Sequence, residues 1–90
     1  MFVVVAYDVS DDRRRTRLHK QLKSFGHAVQ YSIFECHLNP RQFRELQTMV
    51  KRTINTQSDL VRYYRLCEPC HDNIIAINGP TTTLDDTVIV

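Results

Sequence analysis

The chain has 90 residues, 12 Lys and Arg against 10 Asp and Glu for a net charge of +2, and 42% apolar positions. So short a chain buries only about 60 to 65% of the surface it exposes when unfolded, so its core is marginal unless a staple or a partner adds to it. Three cysteines without a secretory signal make no disulfide framework, and the apolar stretch from Phe2 to Ala6 is far below the roughly 20 residues of a membrane span. A soluble, cytoplasmic protein with one domain over residues 1–90 is expected, with self-association as the remaining source of core. The net charge is too mild to decide for a polyanionic partner, so the distribution of charge must decide.

Phe2-Val3-Val4-Val5-Ala6-Tyr7 is a β-branched and aromatic run that reads as a central strand covered on both faces, with Asp8 at its carboxyl end. A helix follows: Ser10 or Asp11 can cap it, Asp11 and Asp12 suit its positive end, Leu18, Leu22 and Phe25 recur at helical spacing, and Gly26 supplies the stop. Val29 to Leu38 reads as strand, with neither face cleanly polar. Asn39-Pro40 then predicts an N-cap and a first helical position, followed by the apolar stripe Phe43, Leu46, Met49, Val50 and Ile54. Leu60 to Leu66 alternates as a third strand, and Asn73 to Ile77 reads as a fourth, ended by the turn Asn78-Gly79-Pro80. After a polar spacer, Thr87-Val88-Ile89-Val90 looks like a strand seeking an edge, which in so small a chain could belong to a partner protomer. This order predicts an α+β, ferredoxin-like two-layer sandwich, two helices on one face of a mainly antiparallel sheet. Its other face would be covered by a dimer packing sheet against sheet.

Three constellations could carry chemistry. In Tyr7-Asp8-Val9-Ser10-Asp11-Asp12, Asp8 is a carboxylate held rigidly at a strand end. A hard cation such as Mg2+ takes one or two such oxygens, and a two-fold axis placing Asp8 opposite its symmetry mate would supply both and activate water for attack on phosphorus. The bland alternative is a strand end followed by helix caps. The second is the run from Arg13 to Lys23, which holds half of the chain's cations. At about 100° per residue Arg13, Arg17 and Lys20 share one flank, and Arg14 and Arg15 spread around the first turn. Arginine forks suit phosphate oxygens, whereas arginine at a helix N-terminus opposes the macrodipole, so a purely stabilising role is poorly motivated. The third, Cys67-Glu68-Pro69-Cys70-His71, matches a haem-attachment pattern and offers zinc ligands, but no second ligand cluster accompanies it and His37 with Cys36 is distant. A strand-end turn with reduced thiols is the default. His19, His27 and His37 are scattered and read as structural or surface residues. Tyr31, Phe34, Tyr63 and Tyr64 read as core, although an aromatic beside the basic helix could stack on a base.

Tyr7-Asp8-Val9-Ser10-Asp11-Asp12, Arg15-Thr16-Arg17-Leu18, Gly26 and Val29-Gln30-Tyr31-Ser32-Ile33-Phe34-Glu35 together closely resemble the CRISPR-associated protein 2 family, the small subunit of the spacer-acquisition machinery. The Leu66-Cys67-x-x-Cys70 segment also resembles one seen in some members. The resemblance implies a ferredoxin-like homodimer whose C-terminal strand joins the partner's sheet, with one more strand between the helices than the pattern gives, so that Val29 to Leu38 would be two strands or carry a bulge. It implies Mg2+-dependent cleavage of phosphodiester bonds in RNA or DNA, and a bridging role between dimers of the CRISPR integrase, CRISPR-associated protein 1, on captured duplex DNA. Carried over by motif, Asp8 would be the catalytic, Mg2+-binding aspartate. Tyr7, Arg15, Arg17 and Phe34 match positions implicated in activity, and Arg13 joins them as a nucleic-acid contact on the basic flank. Ala28 departs from the pattern: many members carry arginine there, and His27 is the nearest replacement. A non-catalytic nucleic-acid scaffold using the same arginines, or a generic ferredoxin-like RNA-binding module, is the alternative.

Overall fold

The β-branched run at the N-terminus forms the centre of the sheet. In a computed structural model, which describes residues 1–77, β1 (Phe2–Asp8) is followed by α1 (Asp12–Leu22), β2 (His27–Gln30), β3 (Ile33–His37), α2 (Pro40–Thr53), β4 (Leu60–Leu66) and a short α3 (Glu68–Asp72). The strands lie in the order β2-β3-β1-β4 and every neighbouring pair is antiparallel. This is the ferredoxin-like fold expected from the sequence, in the β-α-β-β-α-β order that the resemblance implies rather than the single strand between the helices that the residue pattern gives. Among the described residues no helix is long and apolar enough to cross a membrane.

Strand alternation gives the sheet two different faces. Val3, Val5 and Tyr7 of β1 and Phe34 and Cys36 of β3 point towards the helices and join Leu18, Leu22, Leu46 and Val50 in one core. Complete burial of such side chains contributes about 1.5 to 3 kcal/mol each. Both helices start on the predicted caps. The Asp11 side chain accepts the Arg13 N–H, while Asn39 and Gln42 form a reciprocal capping box ahead of α2, with Pro40 in its first turn. Thr53 Oγ1 donates to Gln21 Oε1 at 2.7 Å and ties the two helices together.

The opposite face carries Val4, Ala6 and Asp8 of β1, level with Tyr64, Arg62 and Leu60 of β4. Of these, Leu60 is 67% exposed and Tyr64 46%. Among the described residues only its far end is covered, where the rings of His37 and His71 pack on Phe2 with centroids 5.0 and 4.2 Å away.

Four local expectations change. The single strand that the residue pattern gives at Val29 to Leu38 is two strands, as the resemblance implies, joined at Tyr31-Ser32, with Ser32 in the left-handed region at φ 66° and a bulge between Ala28 and Gln30. Gly26 does not end α1 through a left-handed conformation, since no glycine among the described residues has positive φ. Its N–H caps Leu22 O, and glycine is required because a Cβ would lie 2.2 Å from Glu35 O and 2.6 Å from Cys36 Sγ. Cys67 to His71 is no simple turn: Cys67 caps α3, and the chain leaves the sheet there. Asn73 to Ile77 is accordingly not a strand, and Ile75 and Ile77 are 87% and 83% exposed. The expected turn at Asn78-Gly79-Pro80 and the closing strand at Thr87 to Val90 lie outside the described residues.

Candidate functional site

Asp8 is the last residue of β1, exposed and paired in register with Leu60. Alternation sets it on the uncovered face of the sheet. Among the described residues its carboxylate stays out of the ion pairs that engage Asp11, Asp12 and Asp59. Among the described residues no group of three or more His, Cys, Asp and Glu is placed to hold a metal ion. One chain thus offers a divalent cation a single rigid carboxylate, which suits Mg2+ only if a second copy or the nucleic acid supplies further oxygens.

Two grooves follow from the N-terminal half of α1. Tyr7, Arg15, Thr16, His19 and Tyr31 line a cleft of about 330 Å³. Tyr7 is only 7% exposed and its hydroxyl shares a 3.2 Å hydrogen bond with His19 Nδ1. Burial, then the neighbouring Tyr31, pushes the Tyr7 phenol above its ordinary value, so it stays protonated at neutral pH. Arg15 Nη1 donates to Val9 O at 3.0 Å and its Nη2 to Asp12, fixing the guanidinium one residue past Asp8. Arg13, Thr16, Arg17 and Lys20, with Asp12, line a second, shallower groove of about 430 Å³. This is the flank that helical spacing predicted.

Phe34 takes the core position that its strand placement predicts, whereas the nucleic-acid contact that the resemblance implies finds no exposed ring here. It is fully buried, with its centroid 5.0 Å from His19 and 6.4 Å from Tyr7, so it offers no face to a nucleic acid within this chain and instead packs behind both rings. Arg14 also leaves the basic surface. Its Nε and Nη2 donate to Asp59 at 2.9 and 3.2 Å, and Nη1 reaches Asp11 at 3.2 Å. The Arg14 guanidinium, together with the Asn55 N–H, holds the Asp59 carboxyl below its ordinary value. Helix-terminal arginines thus do have structural work here. His27 cannot replace the missing arginine beside Asp8 within one chain. It pairs with Glu35, which pairs with Val4, and Val4 to Asp8 is about 13 Å along a strand.

Sequence reasoning missed Asp59 and the cleft role of Tyr31. Asp59 follows Thr56-Gln57-Ser58 in a polar connection and carries no periodic signal. Tyr31, read as core, is 81% exposed because the chain turns at that residue.

The family model of CRISPR-associated protein Cas2 matches residues 1–74. The chain belongs to the Cas2 family. It is 39% identical over 87 residues to CRISPR-associated endoribonuclease Cas2 3 of Chloroflexus aurantiacus, a match covering 97% of this chain and 94% of that protein. Its fold superposes on Streptococcus pyogenes Cas2 with a TM-score of 0.78 at 26% identity, covering 87% of this chain and all of the other. A chain in a partial Cas6-RT-Cas1-Cas2 complex matches with a TM-score of 0.74 at 26% identity, covering 89% of this chain and 88% of that one.

Proposed function

We propose that this Cas2 family member is a Mg2+-dependent endonuclease of CRISPR adaptation that hydrolyses phosphodiester bonds of RNA or DNA. It works as a homodimer and bridges dimers of the Cas1 integrase during spacer acquisition. The observation that carries the reading is Asp8: an exposed carboxylate at the end of β1, left out of the neighbouring ion pairs, on the sheet face opposite the helices and at the start of the connection that leads into the cationic first turn of α1. Face-to-face packing of two such sheets would bring two copies of Asp8 towards a common axis and bury Tyr64 and Leu60. The two Asp8 carboxylates would hold Mg2+, which would supply Lewis-acid polarisation of a phosphoryl oxygen and a more acidic water. The remaining work belongs to the chain. Arg13 and Arg17 hold backbone phosphates along the α1 flank, and Arg15, already oriented by Val9 O and Asp12, orients the strand at the Asp8 end. Tyr7, as a protonated phenol at the base of its cleft, offers a hydrogen bond or a ring edge to the nucleotide; Phe34 contributes by fixing Tyr7 and His19 from behind.

Cleavage of RNA and duplex DNA by the wild type and Asp8→Asn, at matched circular dichroism and matched nucleic-acid binding, tests this assignment. Loss of Mg2+-dependent cleavage with retained binding is expected, and undiminished cleavage by the variant would sink the catalytic role of Asp8.

The match to a chain of a Cas1-Cas2 complex supports association with the integrase, and the second reading is a scaffold on DNA in which Asp8 is dispensable. In that role Asp8→Asn keeps spacer integration with the integrase. Duplex binding would weaken by about 0.9 log unit per log unit of salt for each phosphate neutralised.

A further inference from the structure

The three thiols of the chain sit in two different environments. Cys36 is buried at 1% exposure in the core, whereas Cys67 and Cys70 are both exposed, with their sulfurs 3.1 Å apart. A disulfide needs a separation of about 2.05 Å, so closing this pair asks for a movement of only about 1 Å. Cys67 is in extended backbone at the end of β4 and Cys70 in α3, so the pair spans the point where the chain turns off the sheet, with Pro69 between them. The proposed nuclease chemistry uses neither residue.

We propose that Cys67 and Cys70 form a redox-active dithiol site that exchanges with low-molecular-weight disulfides and closes to an intrachain Cys67–Cys70 disulfide. In the first step the Cys67 thiolate attacks one sulfur of the small disulfide, forming a mixed disulfide and releasing one thiolate, which takes up a proton. In the second, the Cys70 thiolate attacks Cys67 Sγ and expels the second thiolate, which is protonated in turn. Two protein thiols are oxidised and one small disulfide is reduced to two thiols. The order follows from the hydrogen bonding: the Cys70 thiol and its N–H favour the Cys67 thiolate and lower its pKa, while the same contact raises that of Cys70. Cys36 is an internal control, since burial pushes its pKa up to about 11 and encloses it. Closure would tie the end of β4 to α3, the helix whose His71 ring covers Phe2 at one end of the sheet. This proposal stands apart from the nuclease reading and holds or fails without it.

The test is mass spectrometry of the full chain, reduced, exposed to oxidised glutathione and quenched by alkylation. The wild type is expected to lose two hydrogen atoms with no glutathione adduct, its disulfide mapping to Cys67 and Cys70, while Cys36 stays alkylatable after unfolding. Cys70→Ser should stop at a stable glutathione adduct on Cys67. A wild type that keeps both exposed thiols, accumulates glutathione adducts without closing, or links two chains through these cysteines would overturn the proposal, and none of these outcomes depends on a substitution.

Discussion

Arg14 and Asp59 form a forked ion pair whose carboxylate has no accessible surface, with further hydrogen bonds from the Asn55 N–H and the Ser58 hydroxyl. Because the Asp59 pKa is lowered in the folded chain, its contribution to stability is fully present above the ordinary value of 3.8 and is lost as the pH falls through the folded value. Thermal melts between about pH 6 and pH 2 should therefore show the wild type losing stability below about pH 4, and Asp59→Asn should be less stable at neutral pH with a flatter acid dependence. Parallel curves would contradict this role. At Gly26 the constraint is steric. Gly26→Ala would drive a methyl group into Glu35 O and Cys36 Sγ, and a loss of about 1 to 3 kcal/mol is expected in urea unfolding. The glycine was legible in the sequence as a punctuation mark, but its reason was not, because the partner that crowds it lies nine residues away on β3.

Elements whose signal is periodic or local were readable: the Val-rich β1, the Asn39-Pro40 start and the apolar stripe of α2, and the alternation in β4. Those that depend on what lies across space were not. The β2–β3 hairpin is not marked by the residue pattern and is implied only by the resemblance, because its turn uses Ser32 at positive φ, where glycine or asparagine would have announced it. The segment after Pro69 looked like strand from Ile74, Ile75 and Ile77, yet α3 diverts it from the sheet and leaves two of the three exposed. For the site, Asp8 and the flank of Arg13, Arg17 and Lys20 were readable from strand end and helix angle, whereas the diversion of Arg14 to Asp59 was not. The basic flank of α1 therefore makes a specific prediction. Arg13→Ala and Arg17→Ala should each weaken duplex binding and reduce the salt slope by about one, with little effect on the melting temperature. Phe34→Ala, at the core behind Tyr7 and His19, should instead cost about 3 to 5 kcal/mol of stability and impair activity only through that loss of packing.

At the scale of the molecule, the described residues build one good core between the helices and the sheet, and cover the second face only at the Phe2 end. The apolar and aromatic groups there, Val4, Ala6, Leu60 and Tyr64, account for the mixed strand patterns of the sequence. A second copy covering that face would supply the missing core and pair two Asp8 carboxylates at once. Replacing the exposed Tyr64 by lysine should shift sedimentation towards the monomer without unfolding the chain, and an unchanged dimer would place the interface elsewhere. The sharing of one site by two chains is tested most directly by co-refolding wild type with increasing fractions of Asp8→Asn and measuring Mg2+-dependent cleavage. If both carboxylates are needed, activity falls as the square of the wild-type fraction. A linear fall, one active site per wild-type chain, would contradict it.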